Sequence, residues 1–103
     1  HMGYAQEKMK RKLTFSGKMF KFPGKGGWYF VRADKQVSHK LKNIKKFGFG
    51  SVKVRATIGK TSWKTSLFPE KKGGPYMLAI KKEVRNKEHL IKGKLIKITL
   101  SLP

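Results

Sequence analysis

Val52-Lys53-Val54-Arg55-Ala56-Thr57-Ile58-Gly59-Lys60-Thr61-Ser62-Trp63-Lys64-Thr65-Ser66-Leu67 is the stretch on which the fold turns. Val52, Val54, Ala56 and Ile58 alternate with Lys53, Arg55 and Thr57, the period of a strand with one face buried and one wet. Gly59 and Lys60 form a two-residue connection, and Trp63, Thr65 and Leu67 then alternate with Ser62, Lys64 and Ser66. A turn this short sets the register of the hairpin, so Lys53, Arg55 and Lys64 are expected on the same outer side.

Upstream, Leu13, Phe15, Gly17 and Met19 alternate with Lys12, Thr14, Ser16 and Lys18, which predicts another half-buried strand. The run from Phe22 to Gly27 turns the chain, and Trp28 to Arg32 reads as the next strand. Asp34 stands where a helix N-cap is wanted, followed by Val37, Leu41 and Ile44 at helical spacing. Downstream, Pro69 and Lys71-Lys72-Gly73-Gly74-Pro75 close the hairpin in a loop. Tyr76 to Lys81 reads as a strand, Lys82 to Leu90 as a short helix, and Ile96, Ile98, Leu100 and Leu102 line one face of a last strand. About six strands and two short helices result, a mainly β domain.

At a constant offset of 47, Tyr29, Val31, Lys35, Gln36 and Val37 match Tyr76, Leu78, Lys82, Glu83 and Val84. Each copy runs strand, short helix, glycine, alternating strand. An internal repeat of this kind predicts a pseudo-two-fold, pseudo-dimeric barrel closed within one monomer, which removes exposed sheet edges.

The charge is extreme. Lys and Arg number 26 against five acids, a formal +21 over 103 residues. Self-repulsion of this size works against compactness, and a polyanion is the partner that relieves it through counterion release. Biased codon usage explains an excess of Lys over Arg, but it also raises Asn and acids, and this chain has two Asn and five acids. Nucleic acid is thus the expected partner, DNA before RNA. With only four Arg to read base edges, contacts are expected mainly to phosphate and weakly selective for sequence. An acidic protein is the other partner expected of such a surface.

Twelve per cent aromatic residues argue against a disordered basic tail, and 103 residues suffice for one modest core. The domain is expected over residues 12–103. His1 and Met2 read as a tag remnant, and residues 1–11 as a flexible basic lead-in. The absence of cysteine excludes disulfides and thiolate chemistry and fits a cytoplasmic location. No apolar run is long enough for a membrane span.

Gly48-Phe49-Gly50-Ser51 through Thr57-Ile58-Gly59, with Trp63-Lys64-Thr65-Ser66-Leu67-Phe68-Pro69 behind it, resembles the core of the prokaryotic domain-of-unknown-function family 1905. Gly26-Gly27-Trp28-Tyr29-Phe30-Val31, Tyr76-Met77-Leu78 and Lys82-Glu83-Val84-Arg85 fall where that family's other motifs lie. The resemblance spans about residues 12–102 and implies a single-chain double-split β-barrel related to AbrB and MazE-type DNA-binding barrels. It implies no activity. Arg32-Ala33 and Leu78-Ala79-Ile80-Lys81 depart from the family pattern, and Gly93-Lys94 replaces its usual Gly-Asp, so the charge belongs to this chain and not to the family.

Other motifs dissolve on inspection. Lys46-Phe47-Gly48-Phe49-Gly50-Ser51-Val52 has the flavour of an RNA-stacking strand but the wrong register, and Phe47 and Phe49 are expected to pack against the first helix. Gly59-Lys60-Thr61 lacks the upstream glycine and following helix of a phosphate loop, and Gly24 to Gly27 precede a strand where a dinucleotide site needs a helix. No acid cluster lies near His39 or His89 in the sequence, and the five acids are scattered singly, so no metal, cofactor or catalytic residue is expected, and no enzyme. Lys42, Lys45 and Lys46 at the helix end, with Lys53, Arg55 and Lys64 on the hairpin, are the candidate nucleic-acid contacts. Trp28, Trp63 and Tyr76 are the candidate lining of a cleft between the barrel halves, the mark of a small-ligand or protein-interaction module in which the charge serves solubility. Each tryptophan is expected on a strand, facing the core.

Overall fold

The computed structural model describes residues 11–24 and 26–102. The expected lead-in therefore lies outside the described residues, apart from Arg11, which opens the first strand. In chain order the elements are β1 (Arg11–Lys18), β2 (Phe20–Lys21), β3 (Tyr29–Arg32), α1 (Lys35–Leu41), a 3₁₀ turn (Gly48–Gly50), β4 (Val52–Ile58), β5 (Thr61–Pro69), β6 (Tyr76–Ala79), α2 (Lys82–Lys87) and β7 (Leu95–Leu102). Seven strands replace the expected six because Met19 interrupts the first into β1 and β2. Trp28 lies just before β3, and α2 ends at Lys87, three residues short of its expected end.

All strands pair antiparallel in the order β1-β7-β4-β5-β6-β3-β2. The strands at the two ends of this order, β1 and β2, are separated in sequence only by Met19, so the sheet curls until its ends meet. Gly17 permits the close passage of β1 beside β3. A Cβ there would lie 2.7 Å from Val31 Cγ1 and 3.1 Å from the carbonyl oxygen of Arg32.

The repeat is visible in the ladders. β3 pairs with β6 through Phe30↔Ala79, Val31↔Leu78 and Arg32↔Met77. Shifting Phe30 and Arg32 by the sequence offset gives Met77 and Ala79, so the ladder maps onto itself about the Val31–Leu78 pair. The two helices begin at the same offset, at Lys35 and Lys82. A second ladder joins β4 to β7, the last strands of the two halves, through Arg55↔Ser101, Ala56↔Leu100 and Thr57↔Thr99. Two strand–helix–strand halves thus form one curled, barrel-like sheet.

The alternation of β4 follows the expected pattern. Val52, Val54, Ala56 and Ile58 are buried, and they meet Phe15, Trp63, Leu67, Ile96, Ile98, Leu100 and Leu102 from neighbouring strands. Val37 and Leu41 of α1 and Val84 of α2 complete this core from the helix layer. The Asp34 carboxylate accepts from the Val37 N–H at 2.8 Å, the expected cap. Ile58 pairs with Thr61 across Gly59 and Lys60, and φ of +58° at Gly59 supplies the turn that a two-residue hairpin with glycine first requires. Glu88 anchors this hairpin to the end of α2, accepting from Thr61 Oγ1 at 2.6 Å and from the Lys60 N–H at 3.3 Å.

Candidate functional site

Because side chains alternate across a strand, burying one face of β1, β7, β4 and β5 commits the rest to the other. The ladders set that outer face out in rows. Lys12 stands opposite Ser101, Ser101 opposite Arg55, and Arg55 opposite Lys64. The adjoining row is Thr14, Thr99, Thr57 and Ser62, all hydroxyls, with Thr57 and Ser62 hydrogen-bonded at 2.7 Å and Thr14 and Thr99 at 3.4 Å. Lys53 opposite Ser66 flanks these rows on one side, and Ser16 opposite Lys97 on the other.

None of these four strands carries an acid. The described carboxylates are occupied elsewhere or lie on the helices: Asp34 caps α1, Glu70 pairs with Arg32, Glu88 holds the hairpin, and Glu83 sits in the first turn of α2. Cations are not confined to the sheet face, since Lys35, Lys40, Lys71, Lys72, Lys87 and Lys92 are exposed on helices and loops. On the sheet face, four neighbouring strands bring their cations together with no acid among them.

Of the six residues expected to form the basic patch, Lys53, Arg55 and Lys64 line one open hollow of about 390 Å³ with Ser66 and Ser101. Lys45 approaches this group through Phe47. The Lys53 ammonium lies 4.3 Å from the Phe47 ring centre and that of Lys45 5.5 Å, both within cation–π range. Phe47 is 40% exposed and serves as a platform for these lysines. The Phe49 side chain lies outside the described residues. Lys42 is exposed at the C-cap of α1, on the helix layer and not on the sheet face. Lys46 turns inward, its ammonium donating to the carbonyls of Leu41 and Ile44 and closing the helix end.

The expected cleft residues also part company. Trp63 is 9% exposed and Tyr76 6%, and both belong to the core cluster. Burial pushes the Tyr76 hydroxyl above its ordinary pKa, keeping it neutral. Trp28 is 60% exposed and belongs to no strand. It does share a groove of about 510 Å³ with one edge of Trp63, and Tyr76 is not part of that lining.

Lys12, Lys97 and Ser101 escaped sequence reasoning although their alternation was legible. Alternation assigns a residue to a face, but only the pairing of β7 with both β1 and β4 makes those faces one surface. Among the described residues, no three His, Cys, Asp or Glu side chains gather as a metal site, and no helix is long and apolar enough to cross a membrane.

A barrel built from two related halves in one chain, with a hydroxyl- and cation-bearing sheet face, defines the class of this protein. The family model described as Domain of unknown function (DUF1905) matches residues 15–100, and the chain belongs to that family. No curated protein matches the sequence.

Proposed function

We propose that this protein binds nucleic acid, DNA foremost, by laying the sugar–phosphate backbone across the outer face of β1, β7, β4 and β5. The observation that carries this reading is the four-strand row Lys12, Ser101, Arg55 and Lys64, flanked by Lys53 and Lys97, on strands without a single acid. Lysines and arginine neutralise phosphates, and the hydroxyl row between them donates hydrogen bonds to the same oxygens without adding charge. Such a surface recognises the backbone and leaves base edges almost unread, so binding is weakly sequence-selective.

Salt titration of the affinity for a DNA fragment tests this directly. Neutralising six or more phosphates lowers affinity by roughly 10³-fold or more between about 50 and 200 mM salt. Joint reversal of Lys53, Arg55 and Lys64 to Glu is expected to flatten the log–log salt slope by about 0.9 for each phosphate no longer neutralised. Equal weakening when Lys71, Lys72 and Lys92 are reversed would remove the assignment to this face. No binding at the lowest salt would overturn the function itself.

A further inference from the structure

The outer face changes character along β5. Lys64 and Ser66 are followed on the same side by Phe68, whose ring meets Phe30 edge to face at 5.8 Å. Phe22 meets Phe30 at 5.6 Å, Phe20 lies 6.2 Å away, and Trp28 stacks over Phe30 at 6.4 Å with the planes 20° apart. Phe30 is thereby buried outside the main core, while Phe22 and Trp28 remain 40% and 60% exposed. Trp28 is held flat from beneath and open above.

Beside it the sheet splits. β5 and β6 pair only through Leu67↔Leu78, Phe68↔Met77 and Pro69↔Tyr76. Ile80 then donates its N–H to the carbonyl of Tyr29, drawing the chain away from β5. The gap is the 510 Å³ groove, in which Lys64, Lys81, Lys82 and Arg85 face Trp28 and Tyr29. Arg85 is fixed there, its guanidinium 4.1 Å from the Tyr29 ring centre and donating to the Ile80 carbonyl at 2.7 Å. On the other side of Trp28 lies an apolar hollow of about 290 Å³, walled by Phe22, Phe30, Phe68 and Ala79. Lys64 lines both the groove and the hollow on the charged face, so the two adjoin at this residue.

Among the described residues, no acid lines either space beside Trp28, so cationic ligands and peptide amines find no counter-charge. An anionic, flat, aromatic ligand matches both walls. We propose that this groove takes single-stranded nucleic acid, with an unpaired base stacked on Trp28 and the adjoining phosphates against Lys64, Lys81 and Lys82. Within a duplex the base faces cover one another, and only an unpaired base presents a face to an aromatic platform. The inference rests on the phosphate-binding reading above and narrows it to a single strand in place of a duplex.

Trp28 also supplies the readout, since the other tryptophan, Trp63, is buried. The full chain is titrated at low salt with a thymidine oligonucleotide of about 12 nucleotides and with a duplex of the same length, following tryptophan emission. The expected result is tighter binding of the single strand, with emission quenched by the single strand alone. Trp28→Ala is expected to abolish the quenching and weaken single-strand binding about tenfold, with duplex affinity unchanged. Trp28→Phe retains part of the affinity. Duplex binding as tight as single-strand binding, or no loss on Trp28→Ala, overturns the stacking site and leaves phosphate binding standing. Absence of salt-sensitive binding to either overturns both. Should Trp28→Ala fail to fold, the wild-type comparison of affinity and quenching decides alone.

Discussion

Arg55 and Lys64 stand directly opposite each other on β4 and β5, two like charges paired across a hairpin whose strands contain no acid. Direct cross-strand repulsion costs stability, and a carboxylate at either position would relieve it. A surface selected for folding alone has no reason to keep that pair. Lys64→Glu is therefore expected to stabilise the fold by about 0.2–1 kcal/mol, read from denaturant midpoints, while weakening DNA binding. A variant that loses both stability and binding would show that Lys64 serves the fold.

Lys46 separates structural from functional lysines. Its ammonium satisfies the carbonyls of Leu41 and Ile44. Removing it takes the charged donor from the end of α1, leaving Leu41 only the Ile44 N–H, so Lys46→Ala is expected to cost about 1 kcal/mol of stability. Its effect on DNA affinity should fall well below that of Lys53→Ala, measured on the same oligonucleotide.

Gly59 is required twice over. Its φ of +58° is a conformation that L side chains adopt at a cost of about 1–2 kcal/mol, and an added Cβ would collide with the Glu88 carboxylate. Gly59→Ala is expected to destabilise the domain by more than the backbone cost alone. Glu88→Ala loses the anchor to Lys60 and Thr61 but also removes the obstacle. A double-mutant cycle should therefore show Gly59→Ala costing less in the Glu88→Ala background, by urea denaturation.

Acid sensitivity should report the Arg32–Glu70 pair. The guanidinium donates to both carboxylate oxygens, at 2.7 and 2.9 Å, and lies 4.1 Å from the Phe20 ring centre. The hydrogen bonds from Arg32 hold the Glu70 carboxyl below its ordinary pKa, outweighing desolvation, with further help from the charges of Arg32 and Lys71. A depressed carboxyl contributes its stability in full above its unfolded value of about 4.3 and loses it as pH falls through the folded value. Glu70→Gln should thus lower stability at neutral pH and flatten the acid limb of a stability–pH curve. The two proteins should converge in strong acid.

Much of the architecture was legible because it is local. The alternation of Val52 to Ile58, the glycine-led turn, the Asp34 cap and the repeat at offset 47 each follow from backbone geometry within a few residues. The repeat reached further, anticipating that Val31 and Leu78 occupy equivalent places, and these residues pair across its axis. The broken first strand was not legible, since the two-residue β2 follows from the curl that brings β1 back to β3. Tryptophan burial was half legible. Trp63 obeys the alternation of β5, whereas Trp28 precedes β3 and escapes its pattern.

The candidate site divides along the same line. Sequence alone placed Lys53, Arg55 and Lys64 on one outer surface, because a two-residue turn sets the register and a period of two sets the side. Tertiary structure alone joined Lys12, Lys97 and Ser101 to them, turned Lys46 inward and opened a groove between Trp28 and Arg85. Those relations depend on which distant strands pair and where the sheet parts, and that choice is made by burying the shared apolar faces of both halves together.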